Sequence, residues 1–326
     1  MPKRAPAAPA AQHLEHRLEL PPSPGGLRLD LALSRALPRY SRSRLAGWIK
    51  EGAVSVDGHA ARPRDAVYGG ESVVVSARTV ADERIEPQAM KIAVMYQDSH
   101  VMVVDKPVGL VVHPGAGNRD RTLQNGLLAL DPGLALVPRA GIVHRIDKDT
   151  SGLLVVARTI EAHAPLVEAL RLHAVQREYV ALCVGALTGG GTIDRPIGRH
   201  RTDRLRMTVR ADGRAAVTHY RLVERFPHHS LLRVELETGR THQIRVHLSH
   251  MGHPLVGDPL YGGRRQLTAG TSPAQRKALH SFGRQALHAA RLCFRHPVTG
   301  KRIEVNSPLP ADFEALLDVL REPADA

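Results

Sequence analysis

Residues 143–158 read Val143-His144-Arg145-Ile146-Asp147-Lys148-Asp149-Thr150-Ser151-Gly152-Leu153-Leu154-Val155-Val156-Ala157-Arg158. Leu153 to Ala157 is an unbroken apolar run bounded by Ser-Gly, the pattern of a buried strand. The stretch just ahead of it sets acidic residues between basic ones in a turn. Asp147 therefore stands at the end of a rigid element with cations at hand, a suitable place for a carboxylate that must stay ionised.

The chain has 326 residues, enough for two domains that each bury a core. Forty-five Lys and Arg against 32 Asp and Glu give a net charge of +13, which fits a polyanionic partner. A membrane surface is the weaker choice. No apolar stretch approaches the roughly 20 residues that span a bilayer, and the basic segments lack a broad apolar face. Nucleic acid is the expected partner. Cys183 and Cys293 show neither zinc-ligand spacing nor a disulfide framework, and they read as buried reduced thiols. Met1 to Ala11 lacks the apolar core of a secretory signal. A cytoplasmic location is expected.

Residues 1–26, with Pro21-Pro22-Ser23-Pro24-Gly25-Gly26, read as a disordered tail. Residues 27–79 read as a small α/β module. Its first helix carries Leu29, Leu33 and Leu37 and stops before Pro38. Ser41 is a candidate N-cap for a second helix, with Leu45, Trp48 and Ile49 on one face and Gly52 at its end. Ala53 to Val56 is a strand, Asp57-Gly58 a hairpin turn, and Ser72 to Ser76 the last strand. Arg39, Arg42, Arg44 and Lys50 cluster around the second helix as candidate RNA-binding residues.

Residues 80–91 are a charged linker, and 92–322 a larger domain of mixed helix and strand. Strands are expected at 101–104, 153–157, 179–184, 216–222, 231–237, 291–294 and 302–306. Helices are expected at 122–130, 164–173, 243–251 and 311–320. Hairpin signals at Asp212-Gly213 and Thr299-Gly300 argue for an α+β fold with a mixed, largely antiparallel sheet. Gly189-Gly190-Gly191 reads as a turn, and no nucleotide-binding glycine fingerprint occurs. His242, His247, His250 and His253 are close in sequence. Spacings of five, three and three spread them around a helix, so no metal site is expected.

Residues 27–79 are similar to an S4 RNA-binding domain through Arg28-Leu29-Asp30, Ser41-Arg42-Ser43 and the run from Ile49 to Gly58. The run 143–158 resembles the Asp-containing signature of the RluA family of pseudouridine synthases, which isomerise uridines in RNA. On chemistry alone Asp147 and Asp149 are equal candidates. In an extended segment they would share a face at roughly 6.6 Å, within the spacing of a glycosidase pair. The family's catalytic Asp follows His-Arg-(Leu or Ile), so the resemblance assigns that role to Asp147. It also implies that Arg145 fills the gap left by an extruded uridine. Thr238-Gly239-Arg240-Thr241-His242-Gln243-Ile244-Arg245 resembles the motif whose Arg pairs with the catalytic Asp, a role that falls on Arg245. A carboxylate buried alone under a base would take up a proton. An Arg at about 4 Å offsets this by roughly 4 kcal/mol at an effective dielectric of 20.

Arg177-Glu178-Tyr179 resembles the family segment whose Tyr faces the flipped base and serves proton removal from C5. The stretches 98–117 and 255–263 also resemble family segments, the second read as structural. The reaction so implied breaks N1–C1′, turns the base over and joins C5 to C1′. It retains the base, so no metal or other cofactor is expected, and one carboxylate suffices as nucleophile or base. The stretches 137–145, 216–221 and 284–289 resemble one branch of the family, and that resemblance implies large-subunit (23S) ribosomal RNA, at the helix 69 stem-loop, as substrate; a monomer is expected. Another rRNA site, a tRNA, or a non-catalytic role in ribosome assembly are the alternatives. The basic stretch 264–284 is equally a surface loop and an RNA contact.

Overall fold

A computed structural model describes every residue except 1–11, 38–39, 41, 80–84, 116, 204, 263–270 and 324–326. The N-terminal module comprises β1 (Gln12–Glu19), β2 (Leu27–Arg28), α1 (Leu29–Ala36), α2 (Arg42–Lys50), β3 (Val54–Val56), β4 (His59–Ala60), β5 (Ala66–Val67) and β6 (Ser72–Thr79). A sheet in the order β1-β6-β3-β4 packs under the two helices. Leu29, Leu33, Leu45, Trp48, Ile49, Val73 and Val75 fill the space between them. Asp57 and Gly58 both take positive φ, 50° and 79°, as the tight turn joining β3 to β4 demands. Ser41, the expected helix cap, lies outside the described residues.

The reading of 1–26 as a tail is overturned from residue 12 onward. β1 pairs antiparallel along the whole of β6, from Gln12 opposite Thr79 to Glu19 opposite Ser72. The physical signal is an alternation of exposed and covered positions. His13, Glu15, Arg17 and Glu19 face water, whereas Leu14, His16 and Leu18 are half-buried and Leu20 is buried. The Pro/Gly-rich segment that follows masked this pattern, because it reads as linker while being a connection between paired strands.

The second domain contains β7 (Ala93–Gln97), β8 (Val101–Lys106), α3 (Leu123–Leu130), β9 (Ser151–Ala157), α4 (Ile160–Arg171), β10 (Gln176–Val184), β11 (Gly191–Asp194), β12 (Ile197–Arg199) and β13 (Met207–Val209). It continues with β14 (Val217–Arg225), β15 (His229–Leu236), α5 (Gln243–His250), α6 (Pro273–Ser281), β16 (Leu287–Arg295), β17 (Arg302–Asn306) and α7 (Ala311–Arg321). One sheet runs β11-β14-β15-β10-β16-β9-β8-β7, with β17 also on β16. Among its described ladders only β9 with β16 is parallel, so the fold is α+β with a mixed, largely antiparallel sheet. All residues of β9 are buried, in accord with its unbroken apolar run.

The parallel ladder needs Gly152. Its φ is 114°, and a Cβ there would come within 2.3 Å of the Ala289 carbonyl oxygen. The Asp212-Gly213 turn forms, but it does not join a hairpin. Arg214 returns to pair with Ile197, and β14 pairs with β11 and β15. The basic stretch 264–284, read equally as a surface loop and as an RNA contact, contains α6, whose Ser272 and Gln275 form a capping box. None of the helices among the described residues is long and apolar enough to cross a membrane.

Trp48 is the single tryptophan and lies in the N-terminal core, so its fluorescence reports that module's unfolding. Leu20→Ala should lower the denaturant midpoint it reads, with a loss of about 2–5 kcal/mol. An unshifted midpoint would separate residues 12–20 from that core.

Candidate active site

The Asp147 turn is clamped from beneath. Lys106, fully buried, donates from Nζ to the carbonyls of Pro107 and Lys148, both at 2.8 Å. The Gly109 N–H donates to the same Lys148 carbonyl. Arg284 reaches the Asp149 carbonyl, Gln285 holds Thr150, and His288 bonds Ser151. Burial lowers the Lys106 pKa to about 7, against the opposing pull of Asp149, Asp147 and Asp105. The chain at 147–150 is a turn closed by Thr150 N–H on the Asp147 carbonyl, not an extended segment. Asp147 and Asp149 therefore do not form the side-by-side pair of a glycosidase.

Arg245 comes from the first turns of α5 and is shared between two carboxylates. Its Nη1 donates to Asp147 Oδ2 at 3.0 Å, while Nε and Nη2 donate to Asp258 at 2.7 and 2.8 Å. Asp258 also accepts the N–H groups of Leu260 and Tyr261. Burial acts against the charge on both partners. For Arg245 the two aspartates outweigh it and hold the guanidinium charged. For Asp258 the Arg245 guanidinium and the two backbone N–H groups outweigh it and keep the pKa below the usual carboxylate range. The stretch 255–263, read from sequence as structural, thus supplies the anchor of the site. An Asp-Pro step in a glycine-rich loop gives no sequence signal for that role.

His242, considered from sequence only as a metal ligand, is a second residue close to Asp147. It sits ahead of α5 with φ 58°, a left-handed conformation that is uncommon for a non-glycine residue. The Tyr261 hydroxyl accepts the Met207 N–H and lies 2.8 Å from His242 Nδ1. The Nε2 of the same ring is 3.9 Å from Asp147 Oδ1. Burial lowers the His242 pKa, with Asp147 opposing.

Asp147, Tyr179, Arg245 and Arg145 all line one cavity of about 1120 Å³. Its wall also carries Arg139, Arg171, Arg177, Arg214 and Arg240, and Asp147 is its one carboxylate among the described residues. Tyr179 on β10 is buried, and its hydroxyl has no hydrogen-bond partner among the described residues. Burial raises its pKa, with Arg177 opposing, so the phenol stays protonated at neutral pH. The N-terminal candidates lie on the other module. Lys50 is exposed at the end of α2, and Arg44 is half-buried. Arg42 donates to both oxygens of the buried Asp30, which Arg28 also braces. Arg39 lies outside the described residues. Among the described residues no three His, Cys, Asp or Glu side chains are grouped to hold a metal ion. His247 is buried and bonded to Thr218 and the Arg195 carbonyl.

Residues 100–250 match the family described as RNA pseudouridylate synthase, and residues 27–73 match the S4 domain. A Xanthomonas campestris protein named ribosomal large subunit pseudouridine synthase D is 55% identical, covering 93% of this chain and 92% of that one. A Pseudomonas aeruginosa protein of the same name is 52% identical over 96% of this chain and 98% of its own. The solved structure of human RNA Pseudouridylate Synthase Domain Containing 4 superposes with a TM-score of 0.56 at 26% identity, covering 71% of this chain and 94% of that one. The chain belongs to the RNA pseudouridylate synthase family, with an N-terminal S4 domain. It is an RNA pseudouridine synthase.

His144 sets an acid limit on this architecture. Its Nε2 accepts the Val155 N–H at 3.1 Å. Burial, and then Arg177, lower its pKa to about 3. Burial likewise lowers His163 and His229 to about 4. An unfolded imidazole titrates near 6.5. Between that value and about 3 to 4 the unfolded chain binds protons that the folded chain refuses, so stability falls as pH falls through this window. Melting temperature should therefore drop steadily from pH 7 to pH 4.5, and His229→Gln should flatten the slope. A flat wild-type profile would contradict these environments.

Proposed function

We propose that the enzyme isomerises uridines of large-subunit ribosomal RNA, in the helix 69 stem-loop, with Asp147 as its essential carboxylate and no cofactor, acting as a monomer. The observation that carries the reading is the Asp147 carboxylate held 3.0 Å from Arg245 in a cavity where, among the described residues, it is the one carboxylate amid several arginines. The substrate assignment is supported by the names of the relatives, which cover more than nine-tenths of their own length.

The chemistry asks little of the protein beyond that arrangement. The N1–C1′ bond breaks, uracil turns within the cavity, C5 bonds to C1′, C5 loses its proton and N1 gains one. Nothing enters or leaves in net terms. An anionic carboxylate adds to the nucleoside or takes a proton from its sugar. Arg245 holds it in position in either case. A base outside the helical stack needs a pocket and a stacking surface, and Tyr179 offers the ring beside Asp147. Because burial keeps the phenol protonated, Tyr179 enters the proposal as a neutral hydroxyl near C5 and not as a standing phenolate. Arg145, exposed at the cavity rim, is positioned to take the place of the extruded base in the RNA. The S4 module, with Lys50 and Arg44 on α2, adds cations for backbone phosphates.

A chromosomal Asp147→Asn substitution tests the reading. Mapping pseudouridine across 23S rRNA should show loss at helix 69 and retention elsewhere. The purified variant should fold and bind the RNA while turning it over at less than about a thousandth of the wild-type rate; wild-type turnover should persist in EDTA. Helix 69 pseudouridine surviving in the variant strain would overturn the assignment.

A further inference from the structure

β10 places Arg177 and Tyr179 two residues apart on one face and Glu178 on the other. Glu178 is occupied by Arg233 and Arg291. Arg177 is 9% exposed and lines the cavity. Its side chain makes no hydrogen bond or ion pair with any described residue, and its Nε is a buried donor without a partner. Burial of an arginine is ordinarily accompanied by a carboxylate. Among the described residues no carboxylate pairs with it, and Asp147 is engaged by Arg245.

The other neighbours are equally unable to neutralise it. His144 accepts the Val155 N–H on Nε2, so its ring proton is on Nδ1, a second buried donor without a partner. Gly239, at the end of the loop from β15, leaves room over the guanidinium. A Cβ at that position would stand 2.7 Å from Arg177 Nη1. The side chain is thus withdrawn from water, given space on its cavity side, and left with no protein anion.

We propose that Arg177 binds a backbone phosphate of the RNA, one of the two flanking the uridine seated between Asp147 and Tyr179. This rests on the cavity being where the uridine is isomerised. A phosphodiester supplies the full negative charge and the oxygen pair that suit a guanidinium fork. A uracil carbonyl supplies a hydrogen bond but no charge. The other arginines of the wall add cations to the same cavity. Arg177 is thereby an anchor that fixes the depth to which the nucleotide enters.

The test uses the full-length enzyme and a uridine-containing rRNA hairpin that the wild type turns over. Binding is measured against KCl concentration for wild type, Arg177→Gln and Arg177→Lys. Loss of one phosphate contact should weaken binding by Arg177→Gln about tenfold at low salt and flatten the log–log salt slope by about 0.7 to 0.9. Arg177→Lys should keep the wild-type slope. In the wild type, a neutral methylphosphonate at one of the two flanking linkages should produce the same loss, and that loss should vanish in Arg177→Gln. A wild-type slope in Arg177→Gln together with reduced turnover would overturn the proposal in favour of a contact to uracil or a structural role. Should Arg177→Gln fail to fold, a wild-type enzyme indifferent to both neutral linkages overturns it equally. Asp147→Asn run in parallel separates the two readings. If it turns the hairpin over, the catalytic reading fails whatever Arg177 does; if it is inactive, the salt slope judges Arg177 alone.

Discussion

A single guanidinium shared between two carboxylates organises the catalytic domain. Arg245 gives two donors to Asp258 and one to Asp147, so the less exposed acid fixes the position from which the other is held. Asp258 has no exposed side-chain surface and is itself tied to the backbone of residues 260 and 261. Below the guanidinium lies the Tyr261 ring, 5.0 Å from its centre, close enough for a cation–π contribution. Removing one member of a buried ion pair typically costs about 3–5 kcal/mol, because the remaining charge is stranded. The network therefore resists small displacements as one body.

The same logic explains the buried polar groups around the turn. Lys106 looks like an error if burial is the only consideration. Its two carbonyl partners show that it holds the loop 107–109 against the Asp147 turn. His144, His288 and Gln285 perform comparable tasks with uncharged donors and acceptors. On the cavity wall, among the described residues, arginines outnumber the lone carboxylate. The polar interior of this domain serves geometry beneath the cavity and attraction for a polyanion inside it.

Much of this was legible from residues alone, for identifiable reasons. The strand 153–157 declares itself because five consecutive apolar residues leave no polar face. The helices α3, α4, α5 and α7 follow from spacing, and Asp147, Tyr179 and Arg245 from motif resemblance, and the fold gathers all three in one cavity. β1 was missed because its alternation is carried partly by His16, a residue that does not score as apolar, and because prolines follow it. Asp258 was missed because a carboxylate in a turn usually caps backbone N–H groups. Asp258 does so, and nothing local reveals the arginine that arrives from thirteen residues earlier in the chain. His242 was weighed only as a metal ligand, since its approach to Asp147 depends on a left-handed backbone and on Tyr261. Arg177 was legible as a motif position, but its lack of a partner is a property of the folded surroundings.

Asp258 does not itself line the cavity and reaches Asp147 only through Arg245. Single-turnover pseudouridine formation by Asp258→Asn, with RNA affinity measured in parallel, isolates that role. The expected result is a rate lowered by about a hundredfold or more with affinity close to wild type. A variant that keeps the wild-type rate would show that the anchoring of Arg245 is not what makes Asp147 effective.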